Sequence, residues 1–329
     1  MRRITWMNFM QVCMGVFLVS SIYFVSEIST SLNSQAAISM LNHRNHIRGK
    51  HAQHVLHRHN VDGFHAAMDF LDQLHIDDTE PFFVLLVSSK LSNGKYWCGD
   101  CEVAAPIFNE VLAATSVRHL LVDVGDRGDW YNMSNGFRTD PRFQVDEIPA
   151  LLRYDPVTKS NTPLLTGAAF LSDAAILRTI FQTPPQPALP TTTHITTFPD
   201  MVEYLRTYET TNQTHSLFVY FVSGANAAGK LWCPFCAKAE LPVTTYFKYF
   251  APSDAVLLRV VTASSLQDWK RADNPFKVQK VITISGLPMV IRANPQRDMT
   301  TEALHFEEFT AFFEETAQLA TFFQGGAYA

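Results

Sequence analysis

Two short stretches carry residue types and spacing that could do chemistry: Trp97-Cys98-Gly99-Asp100-Cys101 and Trp232-Cys233-Pro234-Phe235-Cys236. Four of the five cysteines in the chain lie in them. At the start of a helix, thiols at positions i and i+3 share one face and can close a small disulfide or open it. The helix N-terminus presents unpaired N–H groups and the positive end of a dipole, both of which favour a thiolate at the first cysteine. An exposed thiolate with a second thiol beside it can exchange disulfides with a partner molecule. On that chemistry, Cys98 and Cys233 are the attacking sulfurs and Cys101 and Cys236 the resolving ones, cycling through Cys98–Cys101 and Cys233–Cys236 disulfides. Trp97 and Trp232 either shape the surface beside each sulfur or cover the edge of the core, and both roles are compatible. Asp100 places a carboxylate within the first motif, where it opposes a second nearby anion. Phe235 adds no charge to the second, so Cys233 is expected to have the lower pKa.

The elements that must position these residues occur twice. Gly94-Lys95 and Gly229-Lys230 precede the motifs at matching distances. Apolar runs feed each, Phe82 to Val87 and Leu217 to Val222, β-branched and aromatic enough to be buried central strands. Trp130 and Trp269 follow. Next come Asn135-Gly136-Phe137-Arg138 and Asn274-Pro275-Phe276-Lys277, then Ile148-Pro149 and Leu287-Pro288. The cysteines repeat at an offset of 135 residues and the later residues at 139, so the chain is two copies of one unit. Helices are expected over 61–74, 173–181, 199–208 and 301–323, and after each motif with Pro106 or Pro242 inside. Further strands are expected over 119–124, 150–154, 162–167 and 255–261.

With these motifs the chain resembles the thioredoxin-like superfamily, and within it the small family of thioredoxin domain-containing protein 17. The resemblance rests on Ser88-Ser89-Lys90 through Cys101 and on Val124-Gly125-Asp126 through Tyr154, and more loosely on the second copy. It implies an α/β chain of two tandem thioredoxin-like domains, each a central mixed sheet flanked by helices, after an N-terminal hydrophobic segment. It also implies that Pro149 and Pro288 are cis and face the cysteine pairs, and that the loop over 125–141 flanks the active site. Gly99 and Phe235 depart from the family's motif, where proline and aspartate stand. The implied activity is thiol–disulfide exchange. The reductase direction comes with the family, whereas an oxidising lumen would favour oxidation or isomerisation. The alternative is a non-enzymatic lumenal binding or scaffold protein with structural disulfides.

Length, composition and flanking segments complete the expectations. The chain has 329 residues, 47% of them hydrophobic, with net charge −5. That suits two domains plus extras and leaves no basic footprint for nucleic acid. Met1-Arg2-Arg3 followed by the apolar run Ile4–Val25, including Cys13, reads as a signal anchor or a signal peptide over 1–26. The chain is then membrane-anchored or lumenal in the secretory pathway, with a cytosolic location as the alternative. Residues 27–60 are histidine-rich and read as a solvated stalk, since no cysteine or carboxylate accompanies the histidines. The remaining divisions are a first domain over 61–182, a Pro/Thr linker over 183–193, a second domain over 194–323 and a tail over 324–329. Asn132 and Asn212 begin glycosylation sequons. No metal is expected, because the two CxxC pairs lie in separate repeats rather than in one zinc site. No flavin or nicotinamide fingerprint appears, so no cofactor is expected. Electrons would come from a partner protein, a reductase or oxidase, or from glutathione, and the clients would be disulfide-containing proteins.

Overall fold

A computed structural model describes residues 58–74, 81–182, 190–210, 215–279, 282–294 and 305–326. The N-terminal segment with Cys13, the stalk as far as residue 57, most of the linker and Asn212 lie outside the described residues. Among the described residues no helix is long and apolar enough to cross a membrane.

The first copy contains β1 (Arg58–Asp62), α1 (Gly63–Gln73), β2 (Phe82–Val87), α2 (Gly99–Ala114) and β3 (Arg118–Asp123). It continues through two short helices, α3 (Arg127–Tyr131) and α4 (Gly136–Thr139), then β4 (Ala150–Asp155), β5 (Ser160–Thr166), α5 (Ala168–Leu171) and α6 (Ala174–Gln182). The strands lie in the order β1-β3-β2-β4-β5. β2 pairs parallel with β3 and antiparallel with β4. All six residues of β2 are buried, because a central strand covered on both faces needs apolar side chains on each.

The second copy repeats this with β6 (Thr191–Ile195), α7 (Phe198–Thr210), β7 (Leu217–Val222), α8 (Pro234–Phe250) and β8 (Val256–Val261). Then come α9 (Leu266–Lys270), α10 (Pro275–Val278), β9 (Met289–Asn294), β10 (His305–Glu308) and α11 (Thr316–Phe323). The sheet order β10-β9-β7-β8-β6 is the first sheet's order read from the other edge. The expected architecture, a mixed sheet flanked by helices and present twice, is what the chain adopts.

Several expected boundaries move. Arg58–Asn60, assigned to the stalk, belong to β1, which pairs in parallel with β3, so the helix expected from Val61 starts at Gly63. Thr191–Thr193, assigned to the linker, belong to β6 on β8. The helix expected over 301–323 is two elements among the described residues of that span: β10 pairs antiparallel with β9, and Thr316–Phe323 is helical. The long loop after β3 is organised by Asp126, whose carboxylate accepts from the Asp129 N–H (2.9 Å) in a capping box that starts α3.

The two copies share a continuous apolar core. α8 packs on the edge strand β5, where the Thr245 hydroxyl donates to the Leu164 carbonyl (2.6 Å). The Phe170 and Tyr246 rings meet edge to face at 6.1 Å. Thr316 donates to the Asp173 carboxylate (2.6 Å). Covering β5 with a helix hides one exposed sheet edge.

Candidate functional site

Each cysteine pair is built from three backbone features. The first cysteine caps a helix: Cys98 has φ −84° and ψ 119°, and its sulfur accepts from the Cys101 N–H at 3.3 Å. Cys233 has φ −87° and ψ 118°, and accepts from Cys236 at 3.4 Å. A sulfur in this position replaces the side-chain oxygen that usually caps a helix, and Pro234 occupies the favoured first helical position of α8. The second feature is a buried serine ten residues upstream. Ser88 Oγ accepts from the Cys98 N–H (3.2 Å) and the Ser88 N–H donates to the Cys101 sulfur (3.5 Å). Ser223 Oγ accepts from the Cys233 N–H (3.3 Å). The third is the proline turn. Ile148–Pro149 and Leu287–Pro288 are both cis. The carbonyl before each proline faces the capping sulfur, and the thiol donates to it: Cys98 to Ile148 at 3.4 Å and Cys233 to Leu287 at 3.7 Å.

All four cysteines of the two motifs are free thiols in this structure, the reduced form of the Cys98–Cys101 and Cys233–Cys236 pairs. Cys101 and Cys236 are fully buried; Cys98 is half-buried and Cys233 is 6% exposed. The Cys98 thiol is pulled down to about 7, first by the hydrogen bond from the Cys101 thiol and then by the Cys101 and Asp100 backbone N–H groups, against desolvation. The Asp100 carboxylate does push it up, as expected, but it is the smallest of these influences. The net shift at Cys98 is downward. The same thiol–thiol hydrogen bond and burial push Cys101 up. Burial first, then the hydrogen bond to Cys233, pushes Cys236 up to about 12.

The tryptophans of the two motifs are pinned alike. Trp97 Nε1–H donates to the Gly125 carbonyl (2.8 Å) and Trp232 Nε1–H to the Ala263 carbonyl (3.0 Å). Their surroundings differ. Arg127 lies over the Trp97 ring at 5.6 Å, and Tyr131 is 6.4 Å away on a tilted plane. In the second copy Leu266, half exposed, takes the first helical position that Arg127 holds in the first. Asn132 is exposed, and its carboxamide oxygen accepts from the Ser134 hydroxyl (2.8 Å).

Two groups of residues escape a reading of the sequence. Ser88 and Ser223 were legible in principle, since both stand ten positions before a first cysteine. The other group lies under the second motif. Glu240 is one helical turn after Cys236 on the same face of α8. Its Oε1 accepts from Arg259 Nε at 2.7 Å. Arg259 in β8 is the cross-strand partner of Tyr220 in β7, and Tyr220 is fully buried. Neither Glu240 Oε2 nor the Tyr220 hydroxyl makes a hydrogen bond of good geometry. Burial, followed by the charges of Glu240 and Cys236, pushes the Tyr220 phenol up. The matching positions of the first copy are Ala105, Leu121 and Leu85, the last two paired across β3 and β2. Among the described residues no group of three or more His, Cys, Asp or Glu side chains is placed to hold a metal ion.

A family model described as thioredoxin domain-containing protein 17-like, thioredoxin domain, matches residues 60–182 and again 194–315. The thioredoxin-like protein Clot of Oryza sativa subsp. japonica is 33% identical over 88 residues, which is 24% of this chain and 63% of that protein. Thioredoxin domain-containing protein 17 of Epinephelus coioides is 30% identical over 100 residues, 30% of this chain and 78% of that protein. The human protein of that name is 34% identical over 74 residues, 22% of this chain and 58% of that protein. The chain thus spans just under two thirds of the rice relative and a little over half of the human one.

Proposed function

Since this chain belongs to the thioredoxin domain-containing protein 17-like family, with two tandem thioredoxin-like domains, we propose that it is a protein-disulfide oxidoreductase with two dithiol sites. A thioredoxin-type redox function is the general character of the family. The specific reaction is supported by one observation above the others. A helix-capping thiol, a buried partner thiol and a cis-proline carbonyl at the capping sulfur recur together in both copies.

In the reducing direction the Cys98 thiolate attacks a client disulfide. One client sulfur leaves as thiolate and the other stays in a mixed disulfide with Cys98. Cys101 loses its proton and attacks the Cys98 sulfur. The second client thiol is released and a Cys98–Cys101 disulfide forms. Two electrons and two protons from a reductase partner or glutathione restore the dithiol. Run in reverse, with an oxidase partner, the same steps oxidise a client. Cys233 and Cys236 have the corresponding roles. The cycle needs no bound cofactor or metal. Clients are disulfide-containing proteins, and the apolar run over 4–25 of the sequence supports a location at a membrane or in a secretory lumen.

Redox titration of the full chain in glutathione buffers, with mass spectrometry reading each CxxC peptide separately, tests this reading. Potentials near about −270 mV mean a reductant and argue for a cytosolic location. Potentials near about −180 mV mean a lumenal oxidase or isomerase. A pair that stays oxidised across the whole range is a structural disulfide, which leaves its domain a binding module and refutes the two-site reading.

A further inference from the structure

The two sites differ where a client must touch them. The residue just before the resolving cysteine is Asp100 in the first site and Phe235 in the second. Asp100 is exposed, and Phe235 is 71% exposed, unusual for so large an apolar side chain on a helix. On the facing loop the first site offers Arg127, laid over Trp97. The second offers Leu266 at the equivalent position, 49% exposed. Cys233 keeps only 6% of its surface, so a sulfur that reaches it must bring its neighbours into contact with this rim. Phe235 has no packing role that explains its burial-prone side chain standing in water.

Resting on the dithiol–disulfide reading above, we infer that the Cys233–Cys236 site selects disulfide clients carrying a large apolar side chain beside the attacked cystine, with Phe235 as the selecting residue. The occupant follows from the chemistry: the sulfur–sulfur bond fixes where the client lies, and its flanking residues fall on Phe235 and Leu266. Apolar flanks remove that surface from water. Acidic flanks leave it uncovered. At the first site Asp100 repels acidic flanks and gives apolar ones nothing to cover.

The test uses the full chain, pre-reduced and freed of reductant, in single turnover. Each event converts one protein dithiol and one peptide disulfide into one protein disulfide and two peptide thiols, so no other reductant is needed. A C98S/C101S variant isolates the second site, and a C233S/C236S variant isolates the first. Replacing all four cysteines gives the background. The probes are two disulfide-linked peptide dimers, one with Phe and Leu beside the cysteine and one with Asp and Ser. The second site should release thiol from the apolar peptide about fivefold faster or more than from the acidic one, the scale of discrimination that one apolar contact supplies. F235D should erase that preference and D100F should install it at the first site. Both positions are exposed, so the swaps leave the core untouched. Rate ratios unchanged by both swaps overturn the selection by Phe235. Thiol release no faster than the four-cysteine background, with either peptide, instead refutes the dithiol–disulfide reading itself.

Discussion

The hydrogen-bonded scaffold around the sulfurs is nearly the same in the two domains, and the side chains beneath the second cysteine are not. Cap, serine, proline carbonyl and tryptophan anchor agree between the copies to within a few tenths of an ångström. Below Cys101 lie Ala105, Leu85 and Leu121; below Cys236 lie Glu240, Tyr220 and Arg259. The lesson is that the constellation around the sulfurs is held mainly by backbone geometry and two small side chains. The large side chains beneath it are free to diverge. A polar underside has a cost in such a place, because desolvating two charges offsets much of their attraction. The first domain shows that the fold does without it.

The largest test of this comparison removes one member of the pair. Glu240→Ala leaves the Arg259 guanidinium, whose side chain is 13% exposed, without its carboxylate. The expected loss is about 2–3 kcal/mol, below the ~3–5 of a fully buried pair because the Glu240 side chain keeps 29% of its surface. Chemical unfolding monitored by fluorescence measures it. Copying the first domain's residues, with Tyr220→Leu, Glu240→Ala and Arg259→Leu together, should restore most of that stability. If the triple variant were no more stable than the single one, the underside would be a requirement of the second copy rather than an alternative to an apolar packing.

How much of this was legible beforehand follows the physics of each element. β2 and β7 were read with their observed limits, because continuous apolar runs have few other uses. β1 and β6 were missed. Arg58-His59-Asn60-Val61-Asp62 alternates exposed and half-buried at a sheet edge, and Thr191–Thr193 is polar and follows directly on the proline-rich run that ends at Pro190. His305–Glu308 sits in a run of Phe and Glu that reads with helical period, and only its pairing with β9 makes it a strand. The cysteines, tryptophans and prolines were found by repetition. Glu240 was not, since a glutamate in a helix ordinarily faces water, and its burial depends on Arg259 arriving from another element.

The next test concerns the thiols. Cys98 is pulled down to about 7 chiefly by the Cys101 thiol. In a variant retaining only this pair, its alkylation rate should rise with pH to half of its plateau near pH 7 and fall away below it, since the thiolate is lost as pH drops through that value. Cys101→Ala removes the leading cause and should shift the midpoint upward by about one unit, which lowers the rate at pH 7 roughly fivefold. Cys101→Ser, which keeps a donor, should shift it less. An unmoved midpoint in Cys101→Ala would assign the acidity to the helix N-terminus instead. The same profile for the Cys233 pair decides which site is the more acidic at neutral pH.

The domain junction supplies a smaller effect. Thr245→Val keeps the shape but removes the hydroxyl that reaches Leu164 across the interface. The Leu164 carbonyl then loses a buried donor, a cost of about 1 kcal/mol. Because α8 and β5 share one core, fluorescence changes of Trp97 and Trp232 should move to lower denaturant together. Separate transitions, with only the second domain affected, would show that the copies unfold independently despite the shared core.

The smallest expected effect lies closest to both sites. Lys230, three residues before Cys233, pairs with Asp146, two residues before Ile148, at 2.8 Å. The pair ties the approach to the second motif to the proline turn of the first. Both side chains are more than half exposed, so the contact is worth at most about 0.5 kcal/mol of stability and is screened by salt. Lys230→Ala should therefore leave the unfolding midpoint almost unchanged. Its informative readout is the reactivity of Cys98 in the first site. The Ile148 carbonyl accepts from the Cys98 thiol, and a loosened turn weakens a contact that favours the protonated form. A small acceleration of Cys98 alkylation at low ionic strength, vanishing at high salt, is the expected outcome. An equal rate at every ionic strength would mean that the two sites, although joined by a shared core, do not sense one another through this pair.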